Sequence, residues 1–254
     1  VGTAAPTSDQ LARVQHFLVG HRSVCDYYSA YEFEQDVLQI LKKQFETIDT
    51  VVMTGGSMMY IDAVVRGIDE IPTISSEVRE RVSQMLERDG LEHLLMVLQT
   101  LDPEHYEIVD RMNAKRVVHA VEICLQSGTA YTSLRTGQAK QRPFRTVCVA
   151  LDRPREELFE RIGVRVDEML RQGLEEEARN LFHLRHLNSL NTVGYKEMFA
   201  YFDGQMTLAE AAEKIKTNTR RYAKKQLTWF RLKNEYEWFS ASDDSLVEKI
   251  LSLL

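Results

Sequence analysis

At 254 residues, with 44% hydrophobic and 28% charged side chains and a formal net charge of −6, the chain suits one large or two ordinary domains around a substantial core. No apolar run is long enough to cross a bilayer and no signal-peptide pattern opens the chain, so a soluble, cytoplasmic protein without a membrane partner is expected, with a monomer as the default. Cys25, Cys124 and Cys148 are odd in number, far apart and without a CxxC pair, which argues against a disulfide framework or a zinc ribbon and for buried small hydrophobes.

In chain order, residues 8–18 and 30–45 have helical periodicity, and Ser29 with Glu32 forms a capping box for the second. The β-branched run Thr50–Thr54 predicts the first strand, over 49–54. It ends in Gly55-Gly56-Ser57, and a helix follows until Gly67. From 72 to 142 the pattern is helix upon helix, at 76–89, 91–101, 104–110 and 114–127, without a strand. A basic linker, Lys140–Arg145, leads into a strand at Thr146–Leu151. Helices are predicted at 154–171, 174–183, 193–203 and 207–231, with a polar HLNSLNT turn before the third and a short strand at Glu237–Phe239 at the end. No internal repeat is present.

Strand, glycine turn and helix together make an α/β signature, and such a turn aims backbone N–H groups and a hydroxyl at an anion outside the carboxyl end of a strand. The last long helix is the strongest chemical signal. Lys214–Lys233 carries eight basic and no acidic side chains inside an acidic chain. Lys216, Arg220 and Lys224 recur at i, i+4, i+8, while Ile215, Tyr222 and Trp229 repeat at seven on another side, where an apolar stripe is expected to be buried. The cationic face suits a nucleic acid or a pyrophosphate, with a merely solvated face as the alternative. His183 and His186 form an HxxH pair, but no acidic or cysteine cluster completes a metal-ligand set, and no metal site is expected within these residues.

Several segments in order, GTAAPT at 2–7, Tyr28-Ser-Ala-Tyr-Glu-Phe33, Gly55-Gly-Ser-Met-Met-Tyr60, Arg153-Pro-Arg-Glu-Glu-Leu158, Arg161-Ile-Gly-Val-Arg-Val-Asp167, Val193-Gly-Tyr-Lys-Glu197 and Thr219–Arg231, resemble the tRNA dimethylallyltransferase (tRNA isopentenyltransferase) family across nearly the whole chain. The resemblance implies a prenyltransferase that moves a dimethylallyl group from dimethylallyl diphosphate to N6 of the adenosine 3′ to the anticodon, position 37 of tRNA. It implies an α/β, P-loop NTPase-like (ATP-binding type) parallel-sheet core at 1–71 and 143–254, with an all-helical insertion at 72–142 that grips the anticodon stem-loop. It also implies an upstream segment of about 45 residues, carrying a GxxxxGKT loop for diphosphate and Mg2+ and an Asp as general base, without which these residues alone are expected to be inactive. Three departures stand out: Ser57 where Thr is usual, Ala5 where Lys is usual, and His119 where Arg is commoner.

By the same resemblance Ser57, Arg165 and Arg220 are the catalytic candidates, the two arginines on the diphosphate. RNA contacts are implied for Ser57, Arg79, Lys115, Arg116, Val117, Val118 and His119. They are implied as well for Asn191, Thr192, Val193, Gly194, Tyr195 and Lys196, and for Lys224, Lys225, Gln226, Leu227, Thr228, Trp229, Phe230 and Arg231. Plainer roles compete at several of these. Arg165 has ion-pair candidates in Asp167 and Glu157, Asn191 or Thr192 fits a helix cap, and the Trp229 stripe fits packing. Two rival functions are an adenylate isopentenyltransferase, with the same donor but a free nucleotide acceptor, and a non-catalytic RNA-binding module.

Overall fold

The computed structural model describes residues 1–3 and 5–254. The helices are α1 (Ser8–Arg13), α2 (Ala30–Gln44), α3 (Met58–Arg66), α4 (Ser76–Leu101), α5 (Pro103–Ile108), α6 (Ala114–Ser127) and α7 (Tyr131–Leu134). Strand β1 (Cys148–Asp152) precedes α8 (Arg155–Arg171), α9 (Leu174–Leu181), α10 (Tyr195–Phe202) and α11 (Leu208–Arg231), and β2 (Tyr236–Ser240) precedes α12 (Leu246–Leu251). The chain divides into two compact units. The first comprises Val1–Tyr28, Lys43–Met58 and Phe144–Leu254, the second Ser29–Lys42 and Met59–Pro143.

In the first unit β1 and β2 pair in parallel, Cys148 opposite Tyr236 through Asp152 opposite Ser240, joined by the long helical crossover that a parallel pair requires. The helices of the crossover bury one cluster, in which Val166, Leu174, Ala178, Leu190, Met198, Phe199 and Ile215 interlock. The expected strand at 49–54 does not form; 51–57 carries no regular secondary structure and no ladder. A β-branched run becomes a strand only where a neighbouring strand exchanges hydrogen bonds with it. The sheet among the described residues has two strands, paired only with each other, and Val52 is 82% exposed. The first helix stops at Arg13, five residues short of expectation, and α7 and α12 carry too few residues for periodicity to reveal them.

The second unit is helical. Valines and leucines of α4 and α6 (Val82, Leu94, Leu98, Val117, Val121) make its core. The sequence dictates the ends of these helices: Ser29 and Glu32 exchange the two capping bonds at 3.2 and 2.6 Å, Asn113 caps α6, and Gly128 closes it at φ 69°. Gly90, at φ 80° and ψ 176°, breaks α4 into the two helices that the sequence divides there. Buried Asp102 caps α5 through the His105 N–H at 2.9 Å and takes the Thr132 N–H and hydroxyl at 2.8 and 2.9 Å, fastening α7. The basic stretch around 140–145 is less a free linker than a strap: Arg142 donates to the fully buried Glu34 at 2.6 Å and to the Val64 and Ala63 carbonyls at the end of α3.

Among the described residues the three cysteines form no disulfide; Cys124 is buried, Cys148 is half-buried, and Cys25 is exposed because it lies in the irregular segment between α1 and α2. No helix among the described residues is long and apolar enough to cross a membrane.

Candidate functional site

Thr207 and Glu210 start α11 with a reciprocal capping box. Its first turns are anchored: Ala211, Ala212 and Ile215 are buried, and the Lys216 ammonium lies 2.8 Å from Asp167 of α8 and 2.9 Å from Glu213. One turn on, the Arg220 guanidinium lies over the Phe159 ring of α8, 5.4 Å from its centroid. Its Nε is buried and has no hydrogen-bond partner among the described residues. An unsatisfied buried donor on a permanent cation costs more than a neutral one, and an anionic ligand is the simplest group to complete it. Arg165 is exposed on α8, with the buried Ile162 and Val166 turned to the core beside it. Neither suggested ion pair forms. Asp167 pairs instead with Lys216 and Glu157 with Arg153, and Arg165 has no ion pair among the described residues.

The glycine turn leans on the same helix. The Gly56 carbonyl accepts from Gln226 Nε2 at 2.7 Å and from the Tyr222 hydroxyl at 3.3 Å. Ser57 follows, exposed, directly before α3.

At the start of α10, Gly194 adopts φ 105°, reserved in practice for glycine, and its N–H donates to Glu197 at 2.7 Å. Glu197, 3% exposed, also accepts from the Asn218 amide of α11 at 2.7 Å. The cap of this helix therefore comes from inside it, and not from Asn191 or Thr192, which are exposed. Tyr195 is buried, and its hydroxyl donates to Glu177 at 2.6 Å; burial and that carboxylate together push the phenol pKa up. Glu177 takes the Gly2 N–H at 2.8 Å as well, and a Cβ on Gly2 would stand 2.8 Å from the Tyr195 hydroxyl. The GTA segment and the VGYKE turn thus meet on one carboxylate. Val193 is half-buried and Lys196 exposed.

Toward its end α11 leaves the core. Lys224 and Lys225 are exposed, Leu227 is half-buried, and the Thr228 hydroxyl turns back to the Lys224 carbonyl at 2.9 Å. The expected buried stripe holds only at Ile215: Tyr222 is exposed, and Trp229 is 37% exposed with Lys233 over its ring. The reason is that the packing partners α8 and α10 lie along the first half of the helix. Phe230 packs on Tyr236, while Arg231 lies 2.5 Å from Asp152 at the carboxyl end of β1 and over the Trp238 ring.

In the helical unit, Lys115 and Arg116 are exposed in the first turn of α6, Val118 is half-buried, and Val117 is fully buried in the core, so its side chain packs. Arg79 donates to the Ile74 carbonyl at 3.4 Å. Burial pushes the exposed-edge His119 imidazole below its ordinary pKa, and the charge of Arg79 adds to this, so both favour the neutral ring. Among the described residues no group of three or more His, Cys, Asp or Glu side chains is arranged to hold a metal ion, His183 and His186 included. The Mg2+ implied by resemblance has no ligand set there.

Sequence reasoning passed over Phe159, Glu177, Glu197 and Asn218, which position the site. Only Glu197 left a signal, standing three residues after Gly194 as in a capping box.

The sequence model of the family described as IPP transferase matches residues 1–233. The chain belongs to this family. Among IPP transferase relatives, "tRNA dimethylallyltransferase 2" of Parabacteroides distasonis is 55% identical over 252 residues, covering 99% of this chain and 84% of that protein. "tRNA dimethylallyltransferase 1" of Bacteroides thetaiotaomicron is 52% identical over 253 residues, 100% of this chain and 82% of the relative. The crystal structure of the full-length tRNA isopentenylpyrophosphate transferase from Bacillus halodurans superposes with a TM-score of 0.66 at 30% identity, over 99% of this chain and 80% of that one.

Proposed function

We propose that this chain is the tRNA-modifying prenyltransferase that its relatives are named for, transferring a dimethylallyl group from dimethylallyl diphosphate to N6 of the adenosine 3′ to the anticodon. The observation that carries the reading on the structural side is Arg220, a cation held over Phe159 with a buried Nε that lacks an acceptor among the described residues. In the reaction the amine forms a bond to the allylic carbon as that carbon's bond to the diphosphate oxygen breaks. Negative charge builds on the leaving group, and a fixed guanidinium stabilises it more in the transition state than in the ground state. Arg220 and Arg165 are proposed to take that role. The attacking amine also gives up a proton from N6, which a general base must take for the transfer to balance.

A leaving group alone does not select an acceptor. The exposed Lys224, Lys225, Lys115 and Arg116, without ion pairs among the described residues, supply phosphate contacts that a small acceptor would not use. Ser57 is proposed to meet the target adenosine at the glycine turn. The core is proposed to be of the P-loop NTPase kind, and 72–142 to be the part that holds the anticodon stem-loop. The test is transfer of radiolabelled dimethylallyl from its diphosphate to an unmodified anticodon stem-loop by the full-length protein. Transfer to the stem-loop with none to AMP is expected; transfer to AMP instead would make the protein an adenylate isopentenyltransferase, and RNA binding without transfer to either would make it a binding module.

A further inference from the structure

The basic helix and the glycine turn meet at the Gly56 carbonyl, and the chemistry of that junction is not absorbed by either element's own role. The Gly56 carbonyl receives two donors from α11 one turn apart, Gln226 Nε2 at 2.7 Å and the Tyr222 hydroxyl at 3.3 Å. The approach is close enough that a Cβ on residue 56 would stand 2.2 Å from Gln226 Nε2, and every atom near that Cβ belongs to Gln226. Gly56 has no left-handed φ, so its backbone tolerates a side chain, and what a Cβ there would push aside is the flexible end of Gln226. The segment on the other side of the contact needs such an anchor: residues 51–57 have no ladder bonds, and Val52 to Gly55 are exposed.

We infer that Gln226 is a positioning residue, which clamps the Gly55–Ser57 turn to α11 and so fixes Ser57 relative to Arg220 on the same helix, with Tyr222 as the weaker second hold. This rests on the proposed function in so far as Ser57 and Arg220 act on the two reactants. A side chain with this task acts through geometry, so its loss lowers the rate at saturating RNA more than it lowers affinity. A side chain that simply contacts RNA does the reverse.

The experiment is a double-mutant cycle in the full-length protein with Gln226→Ala, Gly56→Ala and both together, read by steady-state transfer to the stem-loop and by amide hydrogen exchange of the 50–58 segment. An Ala at 56 evicts the amide, and an Ala at 226 removes it, so each breaks the same bond. Each single change is expected to lower kcat about tenfold, with KM for the stem-loop changed less than about twofold. The pair should be no worse than either alone, because the second change finds the bond already broken. Exchange in 50–58 should quicken to the same degree in all three. Gln226→Glu, equal in shape but without the donor, should match Gln226→Ala, whereas a role in filling space would leave it near the parent. Additive losses, an effect confined to KM, or unchanged exchange would each overturn the clamp. If the unsubstituted protein transfers nothing, the proposed function falls by itself, and the exchange readout still decides whether Gln226 holds the turn.

Discussion

Arg220 and Arg231 sit on one helix, in one basic run, and the fold treats them differently. Arg231 meets Asp152 at 2.5 Å and covers Trp238, so its charge is met within the protein. Arg220 rests on Phe159 with a buried Nε left without an acceptor among the described residues. The same contrast divides the lysines: Lys216 is shared between Asp167 and Glu213, while Lys224 and Lys225 stand exposed without an ion pair among those residues. A count of cations therefore overstates what is offered to a ligand. What matters is which carboxylates lie alongside, and for α11 these come from α8, from the end of β1 and from its own Glu213.

The largest effect should separate the two arginines. Arg220→Ala is expected to lower kcat/KM for transfer by about 10²–10³-fold, the loss of about 3–4 kcal/mol typical of a preorganised group facing developing charge. Arg231→Ala should lower it less than about fivefold, since an exposed ion pair is worth about 1 kcal/mol or less. Steady-state kinetics on both variants checks this, and equal losses would erase the distinction between a committed and an available guanidinium.

Next in size is the carboxylate that joins α10 to α11. Glu197→Ala strands the Gly194 N–H and the Asn218 amide in a buried setting and is expected to cost about 2–3 kcal/mol in urea unfolding. Because this link lies in the anchored half of α11, the loss should appear in stability with RNA affinity per folded molecule preserved. Affinity falling in proportion would mean that the two halves of the helix are not independent.

How far these features were legible in the sequence follows from where their partners lie. Local rules succeed where both partners are a few residues apart: the Ser29–Glu32 box, the Asn113 cap and Gly128 stop of α6, and the break at Gly90 all form where the residue types call for them. They fail where the partner is distant. The strand expected at 49–54 lacked a neighbour, the stripe through Tyr222 and Trp229 lacked a packing surface beyond Ile215, and Glu197 takes its second bond from Asn218, on another helix. Arg220 could be named as a diphosphate ligand by resemblance, but its seat over Phe159 and its orphaned Nε depend on how α8 and α11 cross, which no spacing within α11 encodes.

Smaller again is the effect of the free lysines. Lys224→Ala with Lys225→Ala should reduce the slope of log affinity against log salt by about one for each phosphate that a lysine no longer neutralises, so by about two if both engage the stem-loop. Binding isotherms between low and moderate salt measure it. An unchanged slope would return both lysines to an ordinary solvated face.

The smallest expected effect completes the contrast from the other side. Lys216 belongs to the same cationic row as Arg220 and Lys224 but is bound up with Asp167 and Glu213, so Lys216→Ala should leave the salt slope as it is. Its cost should appear in stability, at less than about 1 kcal/mol, because Asp167 and Glu213 are themselves open to water. The sign of the pH dependence follows from the ammonium's pKa, which the hydrogen bonds to Asp167, then to Glu213, raise above its ordinary value. A raised lysine contributes fully below its unfolded pKa, near 10.4, and its contribution is lost only as pH climbs through the folded value. Parent and variant should therefore differ by a constant small amount from pH 6 to 9 and converge above about pH 10.5. A difference that vanished already at neutral pH would show that the ion pair is not what Lys216 contributes, and the line drawn between committed and available cations on α11 would have to move.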